Sequence, residues 1–236
     1  MRKWTVLIVY IIIFSSIYSI SHASIEGIKL VNFPTNSDLY SMLEENQSKS
    51  EISEIIFLPE GSFDQKQAAQ IINRLNHLPR PLLEKVQKEG IHVKLFTGKL
   101  TDNPTAKHLK GKVPRGYRSN ATWDDVPGIG GSKTVLVKIG SSEQGMGHGS
   151  VNLELHELAH SIDRYVLFGL KNNSHFLEIW NDEKNALFPQ RVYFLHFPEE
   201  YFAEAFSMYF LNQETRNNLK LKAPKTYNFI KNLDHL

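Results

Sequence analysis

The pentapeptide His156-Glu157-Leu158-Ala159-His160 contains the residue types and spacing best suited to chemistry. Residues four apart lie on one face of a helix, so both imidazoles can bind one metal ion, with Glu157 beside them. Neutral imidazole suits zinc, and the chain has no cysteine, which excludes a structural zinc site with thiolate ligands. The motif predicts one catalytic zinc ion (Zn2+) per chain. The alternative is a pair of histidines on a surface helix without a metal.

A catalytic zinc ion needs a third protein ligand and an open position for water. The extended motif of the metzincins is excluded, because Asp163 and Val166 stand where that class has glycine and histidine. The remaining common solution is a glutamate on a later helix. Four glutamates at suitable distances along the chain are Glu178, Glu183, Glu200 and Glu204.

Glu200 and Glu204 lie one helical turn apart in a stretch rich in aromatic residues. Carboxylates are rarely buried without partners, so a metal ligand and an acceptor for a histidine ring N–H would explain the pair. The alternative is that both face solvent along a polar stripe. These residue types alone leave Glu200 with a modest advantage over Glu178.

The elements that must position these residues form an α+β pattern. Short apolar or alternating runs predict strands at 55–58, 91–97 and 134–139. Capping signals and helical periodicity predict helices at 65–75, 81–89, 151–165, 175–186, 199–211 and 225–236. Residues 111–149 hold 9 of the 14 glycines and should be mainly loop. We expect a small N-terminal β-sheet with its helices, packed beside a mainly helical C-terminal half.

The first residues of the chain resemble a targeting segment. Residues 1–23 join Arg2 and Lys3 to an apolar run and end in a small-x-small pattern, which is typical of a signal peptide cut after Ala23. An uncleaved membrane anchor is the alternative. Cleavage would leave a secreted protein with 25 charges of each sign, and no basic excess to bind nucleic acid or a membrane.

The mature chain divides into two parts on its pattern. Residues 24–54 are polar and weakly periodic, and we expect them to be weakly structured. Residues 55–236 contain the strong signals without a second linker, so we expect them to form one zinc metalloprotease domain, acting as a monomer.

Several segments of the chain together resemble one known family. They are 100–102 (LTD), 109–111 (LKG), 122–128 (TWDDVPG), 130–132 (GGS), 156–163 (HELAHSID), 198–206 (PEEYFAEAF) and 223–227 (APKTY). This set is similar to the metalloprotease domain of anthrax lethal factor, and more closely to the small secreted Pro-Pro endopeptidases of that superfamily. The resemblance implies a zincin-like fold and hydrolysis of a peptide bond between two prolines.

The resemblance also implies roles for individual residues. The zinc ligands would be His156, His160 and Glu200. Glu157 would be the catalytic acid and base, and Tyr193 would stabilise the oxyanion. Asp163 and Glu204 are candidates for supporting the ligands through hydrogen bonds.

The implied substrate is an extended, proline-containing segment of a secreted or surface protein. Proline has no N–H for strand pairing, so the site must rely on shape and apolar contact. Trp123 is a suitable platform, although an indole packed over the core is an equally good interpretation of it. The other substrate-binding candidates are Gly131, Ser132 and Glu199.

Two departures from the family pattern leave the preference around the cleaved bond open. Ala121 stands where the family has a lysine facing the equivalent of Glu199, and residues 132–134 are altered. A lethal-factor-like protease of another specificity is therefore one alternative. A secreted binding protein with a vestigial metal site is another.

Overall fold

The computed structural model describes residues 25–46, 48–115 and 121–235. The signal peptide predicted at residues 1–23 lies outside the described residues. Within those three ranges, no helix combines the length and apolar character needed to cross a membrane.

The described strands form one mixed sheet in the order β1-β2-β3-β5-β4. The central strands β2 (Ile56–Leu58), β3 (His92–Phe96) and β5 (Thr134–Lys138) pair in parallel and confirm the three predicted strands. Two short strands, β1 (Ile28–Lys29) and β4 (Gly128–Ile129), add antiparallel edges. β4 was not predicted, because a strand of two residues, one of them glycine, carries no periodic signal. β4 is an edge strand, with β5 as its one partner among the described strands.

Helices precede and follow the strands as the α+β expectation requires. The helices before the glycine-rich region are α1 (Asp38–Ser41), α2 (Lys49–Ile55), α3 (Gln65–Asn76) and α4 (Arg80–Lys88). Those after it are α5 (Leu153–Tyr165), α6 (Ser174–Leu187), α7 (Val192–His196), α8 (Pro198–Leu211), α9 (Gln213–Lys222) and α10 (Pro224–Lys231). The mixed class with a small sheet is confirmed.

The stretch 24–54 is more ordered than we expected. β1 pairs with β2, and the apolar side chains of this stretch enter the core at Leu30, Leu39 and Ile52. The Tyr40 hydroxyl donates to the Leu30 carbonyl at 2.7 Å. The expectation of weak structure was wrong for the described residues 25–46 and 48–54. The apolar residues of this stretch follow no single helical or strand period, but several of them are buried in the main core cluster.

The C-terminal half also departs from the prediction in three places, one of them the short helix α7, which was not predicted. The last helix ends at Lys231 and is followed by a 3-10 turn over Asn232–His235, where we expected one helix to residue 236. α9 was not predicted, because its sequence is polar on nearly all sides and buries only Leu219. The helix therefore has no amphipathic pattern, and Leu219 is its only residue packed in the core.

The candidate motif lies on α5, which packs against α8. The Asn152 side chain accepts from the Leu155 amide at 3.0 Å and so caps α5. α8 is buried along most of its length, with Tyr201, Phe202 and Phe206 among the largest fully buried side chains. Core packing therefore determines how the two helices face each other.

Candidate metal centre

His156, His160 and Glu200 converge where α5 meets α8. One potential ligand atom from each lies within 4.8 Å of the others. Glu200 Oε2 lies 3.4 Å from Nε2 of His156 and 3.4 Å from Nε2 of His160. Two imidazoles and a carboxylate are a donor set that zinc prefers, and three ligands leave a fourth position for water. These residues fit a catalytic zinc ion.

Two of the other three glutamates considered as third ligands lie away from the two histidines. Glu183 accepts hydrogen bonds from the backbone amides of Lys225 and Thr226, each at 2.8 Å, which accounts for its buried carboxylate. Glu178 is exposed on α6. Only α8 brings a glutamate to the two histidines among the residues that the structure describes.

Glu204 lies one turn further along α8 and is fully buried. Its Oε2 lies 3.2 Å from His156 Nδ1, and its Oε1 accepts from the Val151 amide at 3.1 Å. A carboxylate that accepts the Nδ1 proton directs Nε2 toward the metal position. Glu204 is therefore placed where a carboxylate that orients a histidine ligand should be.

Asp163 is also buried, but it bonds to a backbone amide and not to a histidine of the motif. Its Oδ1 accepts from the Leu170 amide at 2.6 Å, which ties down the turn after α5. Burial raises the pKa of the Asp163 carboxyl. This hydrogen bond stabilises the end of the helix that carries the motif. A hydrogen bond from Asp163 to a metal-binding histidine stays a prediction.

The buried charges of the centre shift one another's pKa values. Burial acts to lower the pKa of His156, but hydrogen bonds to Glu200 and Glu204 outweigh it and raise the pKa. The hydrogen bonds from the two histidines keep the pKa of Glu200 well below its usual value, although burial acts in the opposite direction. His156, Glu200 and Glu204 are therefore electrostatically coupled where α5 meets α8.

Glu157 lies where α5 passes beneath the edge strand β4. A Cβ atom added to Gly128 would lie 3.0 Å from Glu157 Cγ, and one added to Gly130 would lie 1.9 Å from the Glu157 carbonyl oxygen. Only glycine allows the strand to approach the helix this closely. Glu157 thus stands between the two candidate ligand histidines in the sequence, and its half-buried side chain lies next to the edge of the sheet.

Tyr193 reaches the centre from the short helix α7. Its hydroxyl donates to Glu200 Oε1 at 2.8 Å. Burial raises the pKa of Tyr193, and the charge of Glu200 raises it further, so the phenol stays protonated and can donate. A packing role alone, which its sequence context favours, does not account for this hydrogen bond.

The geometry agrees with comparisons to known proteins. The family model of anthrax toxin lethal factor, N- and C-terminal domain, matches residues 42–233. The chain belongs to this family. It is 43% identical over 189 residues to a Pro-Pro endopeptidase of Clostridioides difficile (strain 630), covering 79% of this chain and 84% of that protein.

A second relative agrees in sequence and in structure. The chain is 38% identical over 196 residues to a Pro-Pro endopeptidase of Paenibacillus alvei, covering 83% of this chain and 90% of that protein. A solved structure of the Pro-Pro endopeptidase from Paenibacillus alvei matches with a TM-score of 0.73 at 39% identity, covering 78% of this chain and 99% of that chain. The resemblance seen in the motifs is confirmed, and this member of the lethal factor family is a metalloendopeptidase.

The segment 130–132 is held against α5 by hydrogen bonds. Ser161 Oγ accepts from the Gly131 amide at 3.0 Å and donates to the Ser132 carbonyl at 2.8 Å, while Arg164 donates to the Gly131 carbonyl at 2.9 Å. The amide and the carbonyl of Gly131 are both used inside the protein. Gly131 and Ser132 therefore set the position of the sheet edge, and their contact with a peptide stays a prediction.

Trp123 packs against the second, smaller apolar cluster, on the face of the sheet that carries Phe96 and Leu136. Its amide donates to the Lys112 carbonyl at 2.8 Å. The indole is only partly buried, as is Ile129 of the edge strand beside the same cluster. The interpretation of Trp123 as an indole packed over the core agrees with this contact. Binding of a proline to the exposed part of the indole stays a prediction.

Arg115 is a site residue that the sequence analysis missed. Its Nη2 lies 3.2 Å from Glu199 Oε1, so Glu199 pairs with a cation other than the family lysine that Ala121 replaces. One arginine in a glycine-rich loop gives no sequence signal. The pairing depends on the course of the loop, which local patterns do not determine.

Proposed function

We propose that the chain is a secreted, zinc-dependent endopeptidase that hydrolyses the bond between two prolines in an extended peptide. The observation that carries the proposal is the convergence of His156, His160 and Glu200 beside Glu157. The names of the two relatives support the proline-proline target. We infer a zincin-like arrangement from the edge strand that passes over the motif helix.

The ligands His156, His160 and Glu200 would hold the zinc ion. When bound, zinc lowers the pKa of water from about 16 towards about 7 and polarises a carbonyl group. Glu204 keeps the Nε2 atom of His156 free to bind by accepting its Nδ1 proton.

Glu157 moves the proton in the proposed reaction. Its carboxylate accepts a proton from the attacking water as the new C–O bond forms at the proline carbonyl. The same carboxyl then gives that proton to the proline nitrogen as the C–N bond breaks. The second proton of the water passes from the new carboxyl group to the amine, so the products are a C-terminal proline carboxylate and a protonated N-terminal proline amine.

Tyr193 would donate a hydrogen bond to the oxygen that becomes negative during the attack. One such donor commonly lowers the barrier by about 2.7 to 4 kcal/mol. The raised pKa of Tyr193 keeps its proton in place for this role. In the free protein that proton bonds to Glu200, so the hydroxyl must turn when a substrate binds.

The peptide would lie along the free edge of β4. A proline nitrogen has no hydrogen to donate to that edge, so residues flanking the two prolines must make the strand contacts. Trp123 and Glu199 are our candidates for contacts with the substrate. The target would be a segment of a secreted or surface protein, and the enzyme would act as a monomer after removal of residues 1–23.

A peptide library with mapped cleavage products tests this function. We expect cleavage between adjacent prolines, loss of activity after chelation and recovery after addition of zinc. Glu157→Gln should lower kcat by about 100- to 10,000-fold while bound zinc stays near one per chain. Glu178→Gln, an exposed glutamate on α6, is the matched control and should keep full activity.

Each alternative has its own result in this test. Cleavage of bonds other than Pro-Pro would favour a lethal-factor-like protease of different specificity. Purified protein without zinc and without activity would favour a binding protein with a vestigial site. N-terminal sequencing of protein from the culture medium tests secretion, with Ser24 as the expected first residue.

A further inference from the structure

Arg115 extends from an exposed loop to the candidate metal centre. Its Nη2 lies 3.2 Å from Glu199 Oε1 and 3.4 Å from Glu200 Oε1. The guanidinium carbon lies 4.0 Å from the centre of the Phe197 ring, a distance typical of a cation–π contact. Arg115 thus contacts the start of α8 through two carboxylates and an aromatic face.

The two carboxylate oxygens of Glu200 face different partners. Oε2 is turned toward the Nε2 atoms of His156 and His160, so this oxygen would bind the metal. Oε1 points away from them and accepts from Tyr193 at 2.8 Å and from Arg115 at 3.4 Å. The side chain of Glu200 is only 10% exposed, so water has little access to the two oxygens.

This division creates a conflict for Tyr193. A phenol has one proton to donate, so Tyr193 cannot bond to Glu200 and to a substrate oxygen at the same time. When the hydroxyl turns to the substrate, Glu200 Oε1 loses its shorter hydrogen bond. A buried charged acceptor without a donor is costly, and that cost would hold Tyr193 in its resting position.

We propose that Arg115 is a positioning residue that keeps Glu200 Oε1 hydrogen-bonded while the Tyr193 hydroxyl turns to the substrate. The inference rests on the proposed function. Arginine suits this role because it is permanently charged and carries several N–H donors, so it can hold Glu199 and Glu200 together. The Phe197 ring supports the guanidinium beside both carboxylates.

The same contacts indicate that Arg115 contributes little to folding. Its side chain is 56% exposed, and exposed ion pairs stabilise proteins only weakly. Substitutions at Arg115 should therefore leave a folded protein that can be assayed. Any loss of activity then reports on the centre.

A double-mutant cycle with Tyr193 tests the inference. Arg115→Gln should lower kcat on a Pro-Pro peptide by about 10- to 100-fold, since a hydrogen bond to a charged group is lost, with little change in KM. Tyr193→Phe should lower kcat by about 100- to 1,000-fold. The double variant should be no slower than Tyr193→Phe, within about twofold, because Arg115 acts through the tyrosine hydroxyl.

Two further variants and one measurement separate this role from a structural one. Arg115→Lys should recover part of kcat, because it restores the charge without the forked donors. Lys112→Gln removes an exposed cation of the same loop and should change nothing. Zinc affinity of Arg115→Gln, measured by competition with a chelator, should stay within about threefold of the unsubstituted protein, because Oε2 is the binding oxygen.

The outcomes are distinct. Additive losses of kcat in the double variant, or a large loss of zinc affinity in Arg115→Gln, would overturn the inference and leave the proposed function standing. An unsubstituted enzyme that cleaves no Pro-Pro peptide overturns both. A loss confined to KM would mean that Arg115 binds the peptide, which also contradicts the positioning role.

Discussion

The two sides of the candidate site are built differently. The metal side lies on α5 and α8, where His156 and Glu200 are each 8% exposed and Glu204 is fully buried. The opposite side is a glycine-rich loop, whose exposed Arg115 and partly buried Trp123 are held by a few polar contacts. The difference separates two tasks: helix packing fixes the candidate metal ligands, and the loop carries the groups that we propose to contact the substrate.

Among these predictions, removal of the proposed third ligand Glu200 on the metal side should have the largest effect on zinc affinity and activity. Glu200→Ala should lower zinc affinity more than 100-fold, beyond the about 10- to 100-fold typical of residues that only support ligands. Peptidase activity should disappear with the metal. Glu178→Ala is the control and should keep its zinc; zinc retained by Glu200→Ala would mean that the wrong glutamate has been assigned.

Glu204→Gln tests the buried partner of His156. The amide keeps the shape of the side chain but loses the charge that holds the Nδ1 proton, so zinc affinity should fall by about 10- to 100-fold. Chelator competition measures the change. An unchanged affinity would contradict a supporting role for Glu204 and limit it to holding the Val151 amide.

The zinc affinity should depend on pH with a definite sign. Because Glu200 and Glu204 raise the pKa of His156 in the metal-free protein, zinc must displace a proton from that imidazole. Below the pKa of His156, apparent affinity should rise by about tenfold per pH unit for each proton released. Competition measured between about pH 6 and pH 8 checks the slope; a flat profile would show that His156 is already neutral there.

Gly130→Ala tests the close contact between the sheet edge and α5. The added Cβ would lie 1.9 Å from the Glu157 carbonyl oxygen, so the strand must shift. We expect a loss of about 1 to 3 kcal/mol in the free energy of unfolding, measured with denaturant. Gly61→Ala, which has no atom within 4 Å of the new Cβ, should cost little. Equal stability of the two variants would contradict the tight packing.

The smallest effect is expected at Asp124, which holds the Trp123 loop. Its carboxylate accepts from Thr101 Oγ1 at 2.7 Å and from the Gly111 amide at 2.8 Å, and these bonds lower its pKa to about 2. Asp124→Asn should raise KM for the peptide by about two- to fivefold and leave kcat nearly unchanged. Asp102→Asn is the matched control. A large fall in kcat would mean that the loop acts on the chemical step.

Much of the helical side could be predicted from sequence because its signals are local. The HExxH spacing and the apolar face of α8 both concern residues within a few turns of one another. The strands β2, β3 and β5 were equally clear from short apolar runs. By contrast, the elements that were missed are short or lack an apolar period of their own: β1, β4, α1, α2, α7 and α9.

The loop side illustrates what local patterns cannot supply. The family pattern drew attention to Ala121 as the loss of a lysine, but the cation that pairs with Glu199 is Arg115, six residues earlier. Ser161 was not singled out either, although it joins α5 to Gly131 and Ser132. These pairings arise between residues that are 29 to 84 positions apart in the chain.

The sequence by itself determined the chemistry that is available: two imidazoles one turn apart, a carboxylate between them and no thiol. It determined these because helix geometry converts a spacing of four residues into a shared face. Only the tertiary structure decided which glutamate joins them, which arginine meets that glutamate and how near the sheet edge lies. Those choices depend on the packing of distant segments, where burial of many side chains outweighs any local preference.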